Sequence, residues 1–204
     1  MILLKNNLPL PVCPTSGFIV TEREYSEERL KQLKAVVQSD SYQELYKQQH
    51  ATYYLYAKTL ELTGEKSEDQ WYLYLNATWE ADNCGNLVRY KEYANLVIEE
   101  ARTKLSGLTP DNQEYWVLKI ILPNMYRRIG NFDKAKEYLA GIGEPTLKNE
   151  EENKFFSLAK KLLETAISLK NSNRVAIREG KNAQQGKCTR TVKSCTARTS
   201  LCSF

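Results

Sequence analysis

From about Ser26 to Lys170 the apolar residues of this chain recur every three to four positions, and they almost never alternate in steps of two. That period is the signature of helices that bury one face, so the spacing predicts at least six helices and essentially no sheet. Helix starts are expected near Ser26, where the side chain can cap orphan amides ahead of Glu27 and Glu28, and near Ser41. The first stripe is Leu30, Leu33 and Val37. A continuous second helix over about 41–62 would carry Leu45, Tyr46, Tyr53, Tyr56, Ala57 and Leu60, with Gly64 as its stop. Further helices are predicted over about 69–83 (Tyr72, Leu75, Trp79), 86–106 (Leu87, Tyr90, Ala94, Val97, Ile98, Ala101, Leu105), 111–129 and 132–141. The last runs from after Thr146 to about Lys170, with Phe155, Leu158, Ala159, Leu162, Ala166 and Leu169 on one face. Residues 1–24, with Pro9, Pro11 and Pro14, read as an extended arm, 25–170 as the helical domain, and 171–204 as a basic, disordered tail.

An internal repeat organises the domain. Gly85-Asn86-Leu87-Val88-Arg89-Tyr90-Lys91-Glu92-Tyr93 returns 45 residues later as Gly130-Asn131-Phe132-Asp133-Lys134-Ala135-Lys136-Glu137-Tyr138. A Gly-Asn turn followed by an amphipathic helix joins two antiparallel helices, and its repetition implies stacked hairpins. With Leu122, Tyr126, Gly130, Phe132, Ala135 and Leu139 at the spacing of the motif, residues 116–142 resemble a tetratricopeptide repeat. Residues 69–101 look like a divergent copy. Pro123 and Tyr90 depart from the pattern, each standing where a small residue is usual. The resemblance implies an all-α fold of stacked antiparallel helical hairpins, a tetratricopeptide-like α-solenoid, acting as a protein or peptide interaction module. More loosely, Val12-Cys13-Pro14-Thr15-Ser16-Gly17-Phe18 resembles the Cys-Pro-x-Cys-Gly zinc knuckle that an uncharacterised bacterial family places before such a domain. Ser16 stands where the second thiolate would be, so no metal is expected there.

Charge is unevenly distributed. Residues 170–204 hold eight basic residues against one acid, a balance of +7 in a chain whose net charge is +4, so the remainder carries −3. Nucleic acid or an anionic surface is therefore a partner only for the tail. The five cysteines (Cys13, Cys84, Cys188, Cys195, Cys202) include no Cys-x-x-Cys pair, which argues against a disulfide framework and for reduced thiols. With no apolar run of membrane-spanning length and no signal-peptide core, the expected location is cytoplasmic.

No constellation for catalysis emerges, so no enzymatic activity and no cofactor are expected. The single histidine, His50, reads as a partly exposed, structural residue within the second helix, and Cys84 as a plain turn cysteine. Gly180 to Cys188 is similar to a phosphate-binding loop but has the wrong spacing and no preceding strand. Asn76-Ala77-Thr78 is a formal glycosylation sequon inside a predicted helix. In the hairpin arrangement the first helix of each pair lines a groove, which places Asn124, Arg127 and Arg128 at a recess for an acidic or C-terminal peptide, with Tyr74 and Ile120 as apolar lining. Removing both arginines would then weaken capture and leave stability nearly unchanged. A non-catalytic subunit or regulator of an enzyme complex is the alternative role.

Because apolar periodicity ends near Asn171, a chain ending after Asn173 is expected to keep the cooperative thermal transition of the full chain. Circular dichroism melts of both forms decide this, and a broad, non-cooperative melt for the shortened chain would refute it.

Overall fold

Helices begin where the sequence places a side-chain acceptor ahead of unpaired amides. In the computed structural model, which describes residues 8–21 and 24–173, Ser26 accepts from Arg29 N–H to start α1 (Glu27–Gln38), and Ser39 accepts from Tyr42 N–H to start α2 (Asp40–Lys47). After α3 (Thr52–Leu62), α4 (Gln70–Asn83) and α5 (Leu87–Leu105), asparagines take over this role. Asn112 caps α6 (Gln113–Arg128), Asn131 caps α7 (Phe132–Ala140) and Asn149 caps α8 (Glu150–Ser168). Among the described residues every regular element is a helix, and the one β-type pairing is an isolated antiparallel bridge, Val12 to Ile19. Of the tail expected after Asn171, everything from residue 174 lies outside them.

Two compact units divide the described chain, residues 8–93 and 94–173, with the boundary inside α5. In the first, α1, α2 and α3 pack on one another and α4 packs on α3. Its core joins Cys13, Phe18 and Ile19 to Leu33, Val37, Tyr42 and Leu55. The N-terminal segment is thus a docked knuckle and not the extended arm expected. Cys13 N–H donates to the Phe18 carbonyl at 2.8 Å and Gly17 N–H to the Cys13 carbonyl at 2.9 Å, closing a tight turn. Tyr42 Oη then donates to the Gly17 carbonyl at 2.8 Å, and the Tyr46 ring lies flat under Gly17. Ser16, standing where a zinc thiolate would be, accepts from Phe18 N–H through its hydroxyl. Among the described residues no three His, Cys, Asp or Glu side chains converge as metal ligands.

In the second unit α6 packs on α7 and α8, and α7 on α8. Trp116, Leu118, Ile121, Leu122, Ala135, Leu139, Phe156, Ala159, Leu163 and Ile167 are buried there. Pro123 sits inside α6 without ending it, its ring buried among these apolar side chains. No helix among the described residues is long and apolar enough to cross a membrane.

The expected 41–62 helix is two helices. Its break falls at Gln48–Ala51, where Gln49 takes φ 56°, and this resets the helical phase. Tyr54 and Leu55 are therefore buried in α3, while the Tyr53 and Tyr56 of the continuous stripe are only partly so. A rotation of about one residue likewise buries Trp71 and Tyr74 in α4, and Phe156 and Leu163 in α8, leaving Leu158 and Leu169 exposed. Leu87 and Val88 open α5 at 66% and 78% exposure, so Leu87 is not the core residue the spacing suggested.

Gly17 has φ 77°, and a Cβ built there would stand 2.7 Å from the Tyr46 ring. Gly17→Ala is accordingly expected to destabilise the chain by about 1–3 kcal/mol, from left-handed strain together with a ring displacement. Urea denaturation of the purified variant measures this, and an unchanged midpoint would mean that the knuckle is not docked.

Candidate functional site

The 45-residue repeat reappears as one turn built twice, with four backbone hydrogen bonds matched between the copies, donated by Cys84 and Ile129, Gly85 and Gly130, Asn86 and Asn131, and Tyr90 and Ala135. Gly85 (φ 68°) and Gly130 (φ 88°) both take the left-handed conformation that closes a helix C-terminus. In the first turn Asn86 N–H donates to the Ala81 carbonyl at 2.9 Å and Gly85 N–H to the Asp82 carbonyl at 3.0 Å. In the second, Asn131 N–H reaches the Tyr126 carbonyl at 2.8 Å and Gly130 N–H the Arg127 carbonyl at 3.0 Å. Each asparagine then starts the next helix, Asn86 Oδ1 accepting Arg89 N–H and Asn131 Oδ1 accepting Lys134 N–H, both at 3.1 Å. Even the surface ion pairs match, Arg89 with Glu92 at 2.7 Å and Lys134 with Glu137 at 2.9 Å. One residue pair therefore ends a helix and begins another at both sites.

The hairpin interiors differ. Around the first lies a seam of buried polar and aromatic groups carried by α3, α4 and the start of α5. His50, 3% exposed, stacks on Tyr54 at 4.4 Å between ring centres, and Tyr54 stacks on Tyr93 at 4.9 Å. Burial, reinforced by the nearby Arg89 charge, lowers the His50 pKa from 6.5 to about 4, so the imidazole is neutral at physiological pH. Burial likewise pushes the Tyr93 and Tyr74 phenols well above their usual range. Farther along α3, Glu61 accepts from Tyr74 Oη at 2.5 Å, from Lys58 Nζ at 2.7 Å and from Gln70 Nε2 at 2.9 Å. Burial alone would raise the Glu61 carboxyl, but these donors outweigh it and hold the group below its ordinary value. At the start of α3 the Glu80 carboxylate receives Thr52 N–H at 3.0 and 2.9 Å and the Thr52 hydroxyl at 2.9 Å, capping a helix whose own Ala51 cannot. The seam fastens helices together.

His50 is thus buried at the α2–α3 break, not partly exposed within a helix, and its partners are Tyr54, Tyr93 and Gln48. A signal was available: Gln48-Gln49-His50 interrupts an otherwise apolar stripe, and Tyr93 and Tyr138 hold equivalent repeat positions. The sequon of α4 is inaccessible, since Asn76 and Thr78 are buried and the Asn76 amide donates to the Tyr72 carbonyl at 2.7 Å. Cys13 is buried in the core of the first unit, and the expectation for the thiols of Cys188, Cys195 and Cys202 falls on residues outside the described ones.

The residues expected to line a groove are placed differently. Tyr74 and Ile120 are 2% exposed and Arg127 is 1% exposed. Arg127 spreads its guanidinium across the chain that leaves α8: Nη1 donates to the Asn171 and Asn173 carbonyls at 2.5 and 2.8 Å, and Nη2 to Asn124 Oδ1 at 2.8 Å. Nε also reaches Asn124 Oδ1 at 3.3 Å. Asn124 Oδ1 accepts from the Arg127 guanidinium, which in turn holds carbonyls of this chain. Arg128 is partly buried beside them.

A buried guanidinium clamped to three acceptor groups is costly to remove, because its partners keep their desolvation penalty. Arg127→Ala is expected to lower stability by about 2–4 kcal/mol, reversing the expectation that this position is dispensable for folding. Arg127→Lys should recover only part of that, since one ammonium cannot span Asn124 and both carbonyls. Thermal denaturation of both variants measures this, and a wild-type melt for Arg127→Ala would show the clamp to be idle.

No family model, curated protein or solved structure matches this chain.

Proposed function

We propose that this chain is a protein- or peptide-interaction module built of tetratricopeptide-like helical hairpins, with no reaction of its own to catalyse. The observation that carries this reading is the turn built twice at a 45-residue offset, with matching caps, left-handed glycines and ion pairs. Helical hairpins expose helix faces that recognise extended or helical segments through side chains spaced along them. The seam of the first unit supports the same reading, since its polar groups are spent on joining helices. With Tyr74, Ile120 and Arg127 buried, the recognising residues must lie on other, exposed positions of these helices.

The +7 balance of residues 170–204 favours a second reading, weak binding of nucleic acid or an anionic surface by the tail. One experiment separates the two. The full chain and a form ending at Asn173 are used to capture partners from a lysate of the source cells at low and high salt. A defined protein partner held equally by both forms at high salt is the expected result. Partners lost on tail removal, with steep salt dependence, would transfer the function to the tail, and capture of no protein by either form would reject the module reading.

A further inference from the structure

The break between α2 and α3 is fastened to α5 by hydrogen bonds that balance only while His50 is neutral. Tyr93 Oη accepts Ala51 N–H at 3.0 Å, which leaves its own hydrogen for His50 Nδ1 at 2.9 Å. Across the ring, His50 Nε2 faces the side-chain carbonyl of Gln48 at 3.1 Å, so Nε2 carries the imidazole hydrogen. The Gln48 orientation is itself fixed, because its amide nitrogen donates to Glu44 at 3.1 Å. A second proton, at Nδ1, would set the phenol between two N–H donors with no place in that pair for its own hydrogen. An alternative acceptor stands close by. Glu92 Oε1 is 4.0 Å from His50 Nδ1, and its other oxygen is held by Arg89 at 2.7 Å.

We propose that His50 is a proton-operated latch: on acidification its imidazolium exchanges Tyr93 for Glu92, its neighbour on α5, and the Ala51–Tyr93 hydrogen bond that fastens the α2–α3 junction in its closed position is lost. Arg89, also on α5, adds a second tie in the closed state, its Nη2 donating to the Gln48 carbonyl at 3.2 Å. The latch is independent of what the hairpins bind.

The groups around the ring set its range. On α5 these are Arg89, Glu92 and Tyr93; on α3, Tyr54 stacked on the imidazole and Lys58 one turn beyond. From α4, Tyr74 stands behind Tyr54 at 6.1 Å between ring centres, and Glu80 grips Thr52 beside the junction. Burial is the largest influence and lowers the His50 value, the Arg89 charge lowers it further, Glu92 raises it and Lys58 lowers it again, leaving it at about 4 against 6.5 in an open chain. A value depressed in the closed state means that the closed state is fully favoured above about pH 6.5. That advantage is lost as pH falls toward 4, a bias on the order of a few hundredfold over the interval.

His50 is the only histidine in the chain, so its ring protons report the titration without assignment ambiguity by NMR. In the full chain we expect a midpoint far below 6.5, and a change in the Ala51 amide resonance that follows the same midpoint while amides of α6–α8 stay folded. Glu92→Gln should lower that midpoint, since it removes the acceptor of the imidazolium. Tyr93→Phe should raise it, since it removes the donor to the neutral ring. An ordinary midpoint near 6.5, an Ala51 resonance indifferent to the titration, simultaneous loss of the α6–α8 signals, or an unmoved midpoint in Glu92→Gln would each overturn the latch. Should Tyr93→Phe not fold, the Glu92→Gln comparison decides alone.

Discussion

Helix ends govern this structure, because every helix leaves several N–H and C=O groups without partners inside itself, and a buried one must find them elsewhere. Where an end is exposed, the sequence meets the need locally with Ser26, Ser39, Asn112, Asn131 or Asn149. Where it is buried, a side chain from another element is drawn in. Tyr93 serves Ala51, Glu80 serves Thr52, and Arg127 serves the carbonyls that follow α8. The buried His50, Thr52, Gln70 and Arg127 accordingly stand at helix ends and junctions, whereas the buried Thr59, Asn76 and Thr78 lie inside α3 and α4 and donate to carbonyls of their own helix. Each then constrains its neighbours: burying Tyr93 brings His50 with it, and the imidazole must stay neutral to complete the set.

The two hairpins show how one local solution tolerates different interiors. Their turns agree in glycine conformation, in four backbone bonds and in two side-chain caps, since a Gly-Asn pair solves the same geometric problem wherever it occurs. Their cores do not agree. Asn76 and Thr78 occupy positions that hold Ile121 and Pro123 in the second copy, and buried Tyr90 stands where the second has Ala135. A turn is specified by two residues and their dihedral angles. A core is specified by whatever surrounds it, so repeats diverge there first.

Burial also decides which side chains remain available for recognition. Arginine is favoured in carboxylate sites because its fork makes parallel bonds, and the same fork suits it to gather backbone carbonyls. Asn124 and Arg127 have the composition of a ligand recess and act as an internal clamp, a distinction set by the position of the chain after α8. The seam repeats the lesson with tyrosines: Tyr54, Tyr74 and Tyr93 have the makings of a stacking platform, yet their faces meet His50 and one another.

By itself the sequence determined the helical class, the approximate extent of most helices, the cap at Ser26 and the repeated turn. These are local properties, set by spacing, by side chains within three residues and by the one residue type that tolerates positive φ. Only tertiary structure decided the break at Gln48–Ala51, the docking of the N-terminal knuckle under Tyr42 and Tyr46, and the burial of His50 and Arg127. A periodic stripe cannot show that a helix stops when a phenol 42 residues away takes over its first amide. Nor can it locate the buried face to better than about one residue, because a rotation of 100° per position keeps the period while exchanging Phe155 for Phe156. Those outcomes depend on partners distant in the chain, and such partners become neighbours only when the chain folds.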